Sequence, residues 1–305
     1  MVTKLSETKP SRRAAVTIGT FDGLHRGHKA LLEKTLELAR AQNLASVVFA
    51  FSQPPQNYLG SPKPLILPLE KKLEQLSQKF DHVVSVDFSE VSWMEAEPFV
   101  QEILVKKLRT TVIVIGEDWR FGKERKGDLL LLKTLGDRFD FRVEIVPPVV
   151  HEGCVISSTV IRELIQSGQV GQAKELLGYV PRLFGKVIKG DGRGRLLGYP
   201  TANLSIAPEL VQPAEGVYAV RAHYRNETKD AILYIGKRPT FQGKSQTIEV
   251  HLFETSEDLY GVEMEVELVH HIRGDRHFPD AESLQRQIQS DVQAARAFLA
   301  QHLNC

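Results

Sequence analysis

The chain is short of cysteine. Of its 305 residues only Cys154 and Cys305 carry a thiol, and Cys305 is the last residue. Two thiols cannot complete a cysteine-rich zinc site, and no structural disulfide is expected between them, which suits a reducing cytoplasm. A surplus of charge is missing as well: 39 Lys and Arg stand against 38 Asp and Glu, a formal net charge of +1. Neither nucleic acid nor a membrane surface is therefore an expected partner, although a local basic run can still meet a small anion. No apolar run is long enough for a membrane span or for the apolar region of a signal peptide. The first thirteen residues are polar, carry Arg12 and Arg13, and read as a frayed end. Internal repeats and low-complexity tracts are absent too. What remains, 42% apolar and 25% charged residues, is the composition of an ordinary soluble globular protein. At about 150 residues per domain, the length makes two domains.

Up to about residue 180, short β-rich runs alternate with helical patterns. "AAVTIGTF" is followed by a helical stripe of Leu31, Leu32, Leu36, Leu38 and Ala39. Then come the strand "SVVFAF", the amphipathic "LEKKLEQLSQKF", the strand "HVVSVDF", the helix "EAEPFVQEILVKKL", the apolar strand "TVIVIG" and the strand "FRVEIVPPV". This alternation predicts a doubly wound, Rossmann-like parallel sheet covered by helices over residues 1–180. After Val180-Pro181 the rhythm changes. "FGKVIKG", "GVYAVRAHY", "DAILYIG", "TIEVHLF" and "EMEVELVHHI" follow one another with no long helical pattern between them. Residues 181–305 therefore read as an antiparallel sheet or small β-barrel. One helix ends the chain, with Asp280 as N-cap and Leu284, Ile288, Val292, Ala295 and Leu299 at helical spacing.

Two constellations carry chemistry. The first is "IGTFDGLHRGH" (18–28), at the exit of the first strand of the parallel sheet. Ligands of such sheets sit beyond the carboxyl ends of the strands. Gly19, Gly23 and Gly27 let the backbone turn sharply and approach a ligand, and the start of the next helix favours anions. His25 and His28 add two donors at the same place, a device for nucleotide phosphates during transfer without a covalent intermediate. The plain alternative is a glycine-rich turn with two surface histidines. The segment is not a Walker loop, which ends in Gly-Lys-Ser/Thr, and a zinc site on these histidines lacks nearby ligands. "ISSTVIR" (156–162) supports the phosphate reading: Ser157, Ser158 and Thr159 begin a helix with Arg162 one turn in, either as ordinary caps or as a triphosphate grip.

The second constellation is "GDGRGRLLGYPTANL" (190–204). Its Gly190, Gly192, Gly194 and Gly198 allow a loop whose amides face phosphate. Thr201 and Asn203, if the segment is extended, point to one side and offer the hard oxygens that Mg²⁺ takes. The alternative is a surface loop entering a strand. In "TIEVHLF", Ile248, Val250 and Leu252 alternate with Glu249, which places Glu249 on the face opposite the aliphatic side chains. There it is either a solvated strand carboxylate or a base that takes a hydroxyl proton for attack on a γ-phosphate.

Gly-x-Phe-Asp-Gly-x-His-x-Gly-His followed by Ile-Ser-Ser-Thr-x-Ile-Arg resembles the paired signatures of the nucleotidylyltransferase superfamily. "GEDWRFG" (116–122) is similar to the Gly-x-Asp-Phe-Arg-Phe-Gly segment of its FAD synthetase branch. The second half resembles riboflavin kinase in Gly-Arg-Gly-Arg-x-Leu-Gly-Tyr-Pro-Thr-Ala-Asn, "GVYAV", "IGKRPTF", "EVHLF" and "DLYG" (258–261). The order along nearly the whole chain resembles the bacterial bifunctional riboflavin kinase/FAD synthetases. The resemblance implies a nucleotidylyltransferase (FMN adenylyltransferase) domain over 1–180 and a β-barrel kinase domain with a helical tail over 181–305. It further implies His25 and His28 as catalytic donors, and Gly19, Phe21, Asp22, Gly23, Ser158, Thr159 and Arg162 around one nucleotide. Asp118, Arg120 and Phe121 would lie at the flavin. Gly190, Gly194, Arg195, Thr201 and Asn203 would hold the other nucleotide, with Thr201 and Asn203 also at Mg²⁺, and Glu249 would be the catalytic base. ATP and riboflavin are the implied substrates, FMN is product and then substrate, and FAD is the final product. Self-association is compatible with the sequence.

Three positions depart from the family pattern. Phe51 is followed by Ser52, Gln53, Pro54 and Pro55 where an acid and a Pro-His-Pro run are usual, and Thr20 and Tyr234 stand where Asn is common. These departures keep a second reading open: a riboflavin kinase alone, with an impaired or repurposed adenylyltransferase half.

Overall fold

A computed structural model describes residues 2–8, 10–58, 60–190, 192, 194, 198–240, 243–255 and 257–301, with backbone only for 237–240 and 243–246. Arg195 and Cys305 lie outside the described residues. The chain parts into two compact units, Met1–Ser158 and Thr159–Cys305.

The first unit is built on a parallel sheet. Its strands are β1 (Val2–Lys4), β2 (Ala14–Gly19), β3 (Ala45–Phe51), β4 (His82–Val86), β5 (Thr110–Gly116) and β6 (Arg142–Val146), in the order β1-β4-β3-β2-β5-β6. Helices α1 (Arg26–Ala41), α2 (Leu69–Ser77), α3 (Ala96–Pro98, continued by the π-helical Phe99–Lys107) and α4 (Leu129–Phe139) connect them. Alternate residues feed opposite faces of the sheet. Ala15, Val112 and Val114 pack with Leu38 and Ala39 of α1. Val16, Ile18, Ile113 and Ile115 pack with Phe99, Leu104, Leu132 and Leu135 on the other side. The chain steps from β2 through β3 to β4 in one direction, then crosses back to place β5 on the other flank of β2. The loops leaving β2 and β5 therefore flank the point where the order reverses, the usual ligand crevice of such a sheet.

Two features of this unit differ from the sequence reading. The amino terminus is not frayed: Val2–Lys4 pairs in parallel with Val83–Ser85 of β4, and Leu5 and Thr8 are buried. An open edge of β4 recruits it, a pairing that local polarity does not signal. No helical period marks α4 in the sequence, because four consecutive leucines hide it; Asp128 caps it by accepting from the Leu131 amide at 2.9 Å. After β6 a short hairpin, β7 (Val150–His151) and β8 (Cys154–Val155), leads to α5 (Ser158–Gln166), and Cys154 is an exposed free thiol.

The second unit takes in most of α5, then α6 (Val170–Leu177) and a closed antiparallel barrel. The barrel comprises β9 (Arg182–Ile188), β10 (Ala202–Ile206), β11 (Gly216–Tyr224), β12 (Glu227–Thr240), β13 (Gly243–Leu252) and β14 (Glu263–Gly274), in the order β10-β13-β12-β11-β14-β9. Closure leaves no free sheet edge. Tyr218, Val220, Leu233, Ile248, Val250, Leu252 and Leu268 fill the interior. The terminal helix α7 (Ala281–Gln301) lays Ala295 and Leu299 against Val217, Ala219, Ile232 and Phe253 on the outer wall. The units part at residue 158 instead of near 180 because α6 joins the barrel: Val170 belongs to the barrel core, and a Cβ on Gly168 would meet His271 at 2.7 Å.

Candidate active sites

The loop after β2 is wound tightly. Phe21, Gly23 and Leu24 all have positive φ, 52°, 78° and 41°. For Phe21 and Leu24 this is a strained backbone that must be held from outside. Asp22 does part of the holding: its carboxylate, only 2% exposed, accepts from the Ile66 amide at 3.0 Å and the Leu67 amide at 3.3 Å. Ser158 Oγ donates to the Asp22 carbonyl at 2.9 Å and adds a second hold on the turn. His25 is the N-cap of α1, its Nδ1 accepting from the His28 amide at 3.3 Å. That role leaves the ring proton on Nε2. The two imidazoles stack face to face with centroids 3.6 Å apart and planes 20° apart, and Phe21 meets His28 edge-on. A Cβ on Gly27 would press on the His25 ring at 3.1 Å, so the glycine makes room for the stack.

The "GEDWRFG" loop leaves β5, the neighbour of β2. Asp118 and Arg120 are exposed on it, and Arg120 pairs with Asp128 at 3.4 Å. Phe121 belongs to the core: it is 5% exposed, bridges backbone to Gly127 and lies near Phe99. Its ring is stacked with that of Trp119 at 4.7 Å, and Trp119 is the half-buried aromatic of the pair. The sequence pattern points to Phe121, and the structure adds Trp119. The departure from pattern at Ser52 sits where β3 ends. Near it Tyr58 donates to Asp87 at 2.6 Å and packs on Phe88, which also meets Phe51.

Lys72 was missed altogether. It is 2% exposed, and its ammonium reaches the carbonyls of Thr20 at 2.9 Å, Phe51 at 2.7 Å and Ser52 at 3.4 Å. Burial lowers its pKa to about 8, with the negative charge of Asp22 opposing the shift. Its position three residues after Leu69 and four before Leu76 puts a lysine on the apolar stripe of α2, which was the readable signal. In α5, Thr159 is exposed and Arg162 is buried, and both belong to the second unit.

The barrel brings the second constellation together. Asn203 of β10 is the register partner of Glu249 on β13, and Glu249 is in turn the partner of Tyr234 on β12. Register partners project to one side of a sheet, here the outer one, since Ile248 and Val250 point into the core. Thr201 Oγ1 donates to Glu249 Oε2 at 3.2 Å. His251, two residues along the same face, donates from Nδ1 to the Pro200 carbonyl at 2.8 Å and so holds the segment that carries Thr201. The glycines are needed for close approach: a Cβ on Gly190 would overlap the Asn203 amide, and one on Gly194 would overlap the Tyr199 carbonyl and come within 3.1 Å of Thr201 Oγ1. A cleft of about 420 Å³ opens beside Thr201, lined also by Pro200, Gly192, Asp258 and Tyr260. Tyr234 donates to Asp275 at 3.2 Å. Among the described residues no group of three or more His, Cys, Asp or Glu forms a metal cage. The hydroxyl, amide and carboxylate of Thr201, Asn203 and Glu249 are instead a sparse hard-oxygen set, which fits Mg²⁺ because that ion keeps several waters and borrows phosphate oxygens.

Comparison with known proteins gives the family of each half. Residues 7–160 match the family model of FAD synthetase, and residues 177–299 match that of riboflavin kinase. The bifunctional riboflavin kinase/FMN adenylyltransferase of Haemophilus influenzae is 38% identical over 289 residues, covering 93% of this chain and 94% of that protein. The protein of the same name from Escherichia coli K12 is 36% identical, covering 95% and 94%. Among solved structures, a Streptococcus pneumoniae crystal structure named as a macrolide-efflux protein superposes with a TM-score of 0.86 at 32% identity, covering 97% of this chain and 98% of that one. A parallel-sheet unit and a closed barrel, each matching a flavin-nucleotide enzyme, define a two-domain transferase. The chain belongs to the bifunctional riboflavin kinase/FMN adenylyltransferase family.

Proposed function

We propose that the barrel transfers the γ-phosphoryl group of ATP to the ribityl 5′-hydroxyl of riboflavin, giving FMN and ADP, and that the parallel-sheet unit transfers AMP from a second ATP to the FMN phosphate, giving FAD and pyrophosphate. The observation that carries the reading is the meeting of Thr201 and Glu249, 48 residues apart in sequence, within 3.2 Å on the outer wall of the barrel. A carboxylate that accepts from the Thr201 hydroxyl and is flanked by an amide is placed to take the proton of an incoming hydroxyl as its oxygen attacks phosphorus. Thr201 and Asn203 would hold Mg²⁺, which neutralises phosphate charge when bound. Gly190, Gly194 and Arg195 complete the cradle in this reading.

In the parallel-sheet unit, His25 and His28 donate N–H groups to the α-phosphoryl group as charge builds on it during displacement of pyrophosphate. Phe21, Asp22 and the glycines keep the turn that presents them, and Ser158, Thr159 and Arg162 are the triphosphate residues of this reading. Asp118 and Arg120 face the flavin; Trp119 replaces Phe121 as the aromatic in contact with it. ATP, riboflavin and FMN are the partners, and the cytoplasm is the site of action. No described helix is long and apolar enough to cross a membrane.

The test is product analysis: purified protein with riboflavin, ATP and Mg²⁺ yields FMN and then FAD. Accumulation of FMN with no FAD would refute the second activity, and intact riboflavin would refute the first.

A further inference from the structure

Lys72 sits where packing alone would place a leucine. On the apolar stripe of α2, fully out of water, an ammonium is disfavoured against a hydrocarbon of the same size unless its donors are met. They are met by backbone carbonyls from two separate strand ends: Thr20, in the histidine turn after β2, and Phe51 and Ser52, where β3 gives way to the next loop. The same stretch of chain grips the turn a second time through the amides of Ile66 and Leu67, which donate to the Asp22 carboxylate. Thr20 and Asp22 flank Phe21, whose φ of 52° is strained. Residues 66–72 thus hold the strained residue from both sides, one grip by amides on a carboxylate and one by an ammonium on a carbonyl.

We propose that Lys72 is a positioning residue for adenylyl transfer: its ammonium ties the histidine turn to the end of β3 and fixes where the stacked His25 and His28 stand, without itself touching substrate. The inference rests on the assignment of adenylyl transfer to this loop. Asp22 is the charged group acting on the ammonium. At neutral pH Lys72 therefore holds its proton and all three of its donors.

Lys72→Met tests it. The thioether keeps the length of the side chain, and its burial is easier than that of a charge, so the variant folds. With FMN and ATP supplied, kcat for FAD formation falls by about tenfold to a hundredfold, as misplacement of catalytic groups does, while KM for ATP changes by less than about threefold. FMN formation from riboflavin, measured in the same chain, stays within about twofold. Independently of activity, amide hydrogen exchange in residues 20–28 quickens in the variant. A kcat equal to that of the wild type, an equal loss of both activities, or a lowered melting temperature as the only change would each overturn the proposal. Unchanged exchange in residues 20–28 would overturn it even if the wild type made no FAD, a result that would separately refute the assigned activity.

Discussion

Glu249 and Tyr234 are direct cross-strand partners on β13 and β12. They differ in what they can do with a proton. Burial, then the charges of Asp275, Glu249 and Glu215, push the Tyr234 phenol up to about 12, so it stays protonated and donates to Asp275. The carboxylate is left as the acceptor of the pair. Glu249→Gln is therefore expected to slow FMN formation by about 10²–10⁴-fold, the usual worth of a positioned base, and to leave FAD formation from supplied FMN unchanged. Tyr234→Phe is expected to slow FMN formation by less than about tenfold, since it removes one neutral donor. Initial rates with separated flavin products measure both.

The histidines divide their labour. His25 caps α1 and is buried, whereas His28 stacks on it, meets Phe21 edge-on and donates its backbone amide. Both substitutions by alanine should reduce FAD formation by about 10²–10³-fold, as removal of a preorganised donor does. Only His25→Ala should also lower stability, by about 1 kcal/mol for the lost cap. Thermal melts beside rate measurements distinguish the two; equal stability of both variants would contradict the capping role.

Lys72 makes the stability of the parallel-sheet unit pH-dependent in an unusual direction. Its folded pKa of about 8 lies below the ordinary 10.5, so between these values the unfolded chain holds a proton that the folded one has released. Raising pH through that window stabilises the fold, by up to ~3 kcal/mol at about 1.4 kcal/mol per pH unit. Lys72→Met lacks the term. The stability difference between variant and wild type should shift in favour of the wild type as pH rises from 8 toward 10.5, as read from denaturant midpoints at several pH values. A constant difference would contradict this.

A buried ion pair adds to the apolar packing of helix α7 on the barrel. Arg273 gives Asp291 three hydrogen bonds of 2.7–3.1 Å, with side chains 12% and 5% exposed, and Gln287 adds a fourth donor at 2.8 Å. Asp291→Ala strands the guanidinium, and the barrel should lose about 3–5 kcal/mol in denaturant unfolding. Replacing both partners by apolar residues should restore most of it.

What could be read in advance follows a physical line. Period-two alternation placed Glu249 on the outer face, and the change from β-α alternation to successive strands separated the two folds, because both are local patterns. Asn203 lies in the extended β10, and Thr201 just before it meets Glu249 through its hydroxyl. The rest depended on partners distant in sequence. Strand β1 exists because β4 has an open edge, and Lys72 meets carbonyls 52 and 21 residues away. Trp119 was hidden beside Phe121 because the order of burial within an aromatic pair is set by packing, which no dipeptide reveals.

The boundary between Ser158 and Thr159 bears on how this chain could be cut. A fragment ending at 158 keeps both histidines but leaves Thr159 and Arg162 behind. One ending at 180 keeps them and strips α6, with Val170, from the core of the barrel. Neither cut keeps both matched segments whole, since the FAD synthetase match runs to residue 160, the kinase match begins only at residue 177 and the barrel core already includes Val170. A gene split in this stretch would have to leave α6 with the barrel to keep Val170 in its core.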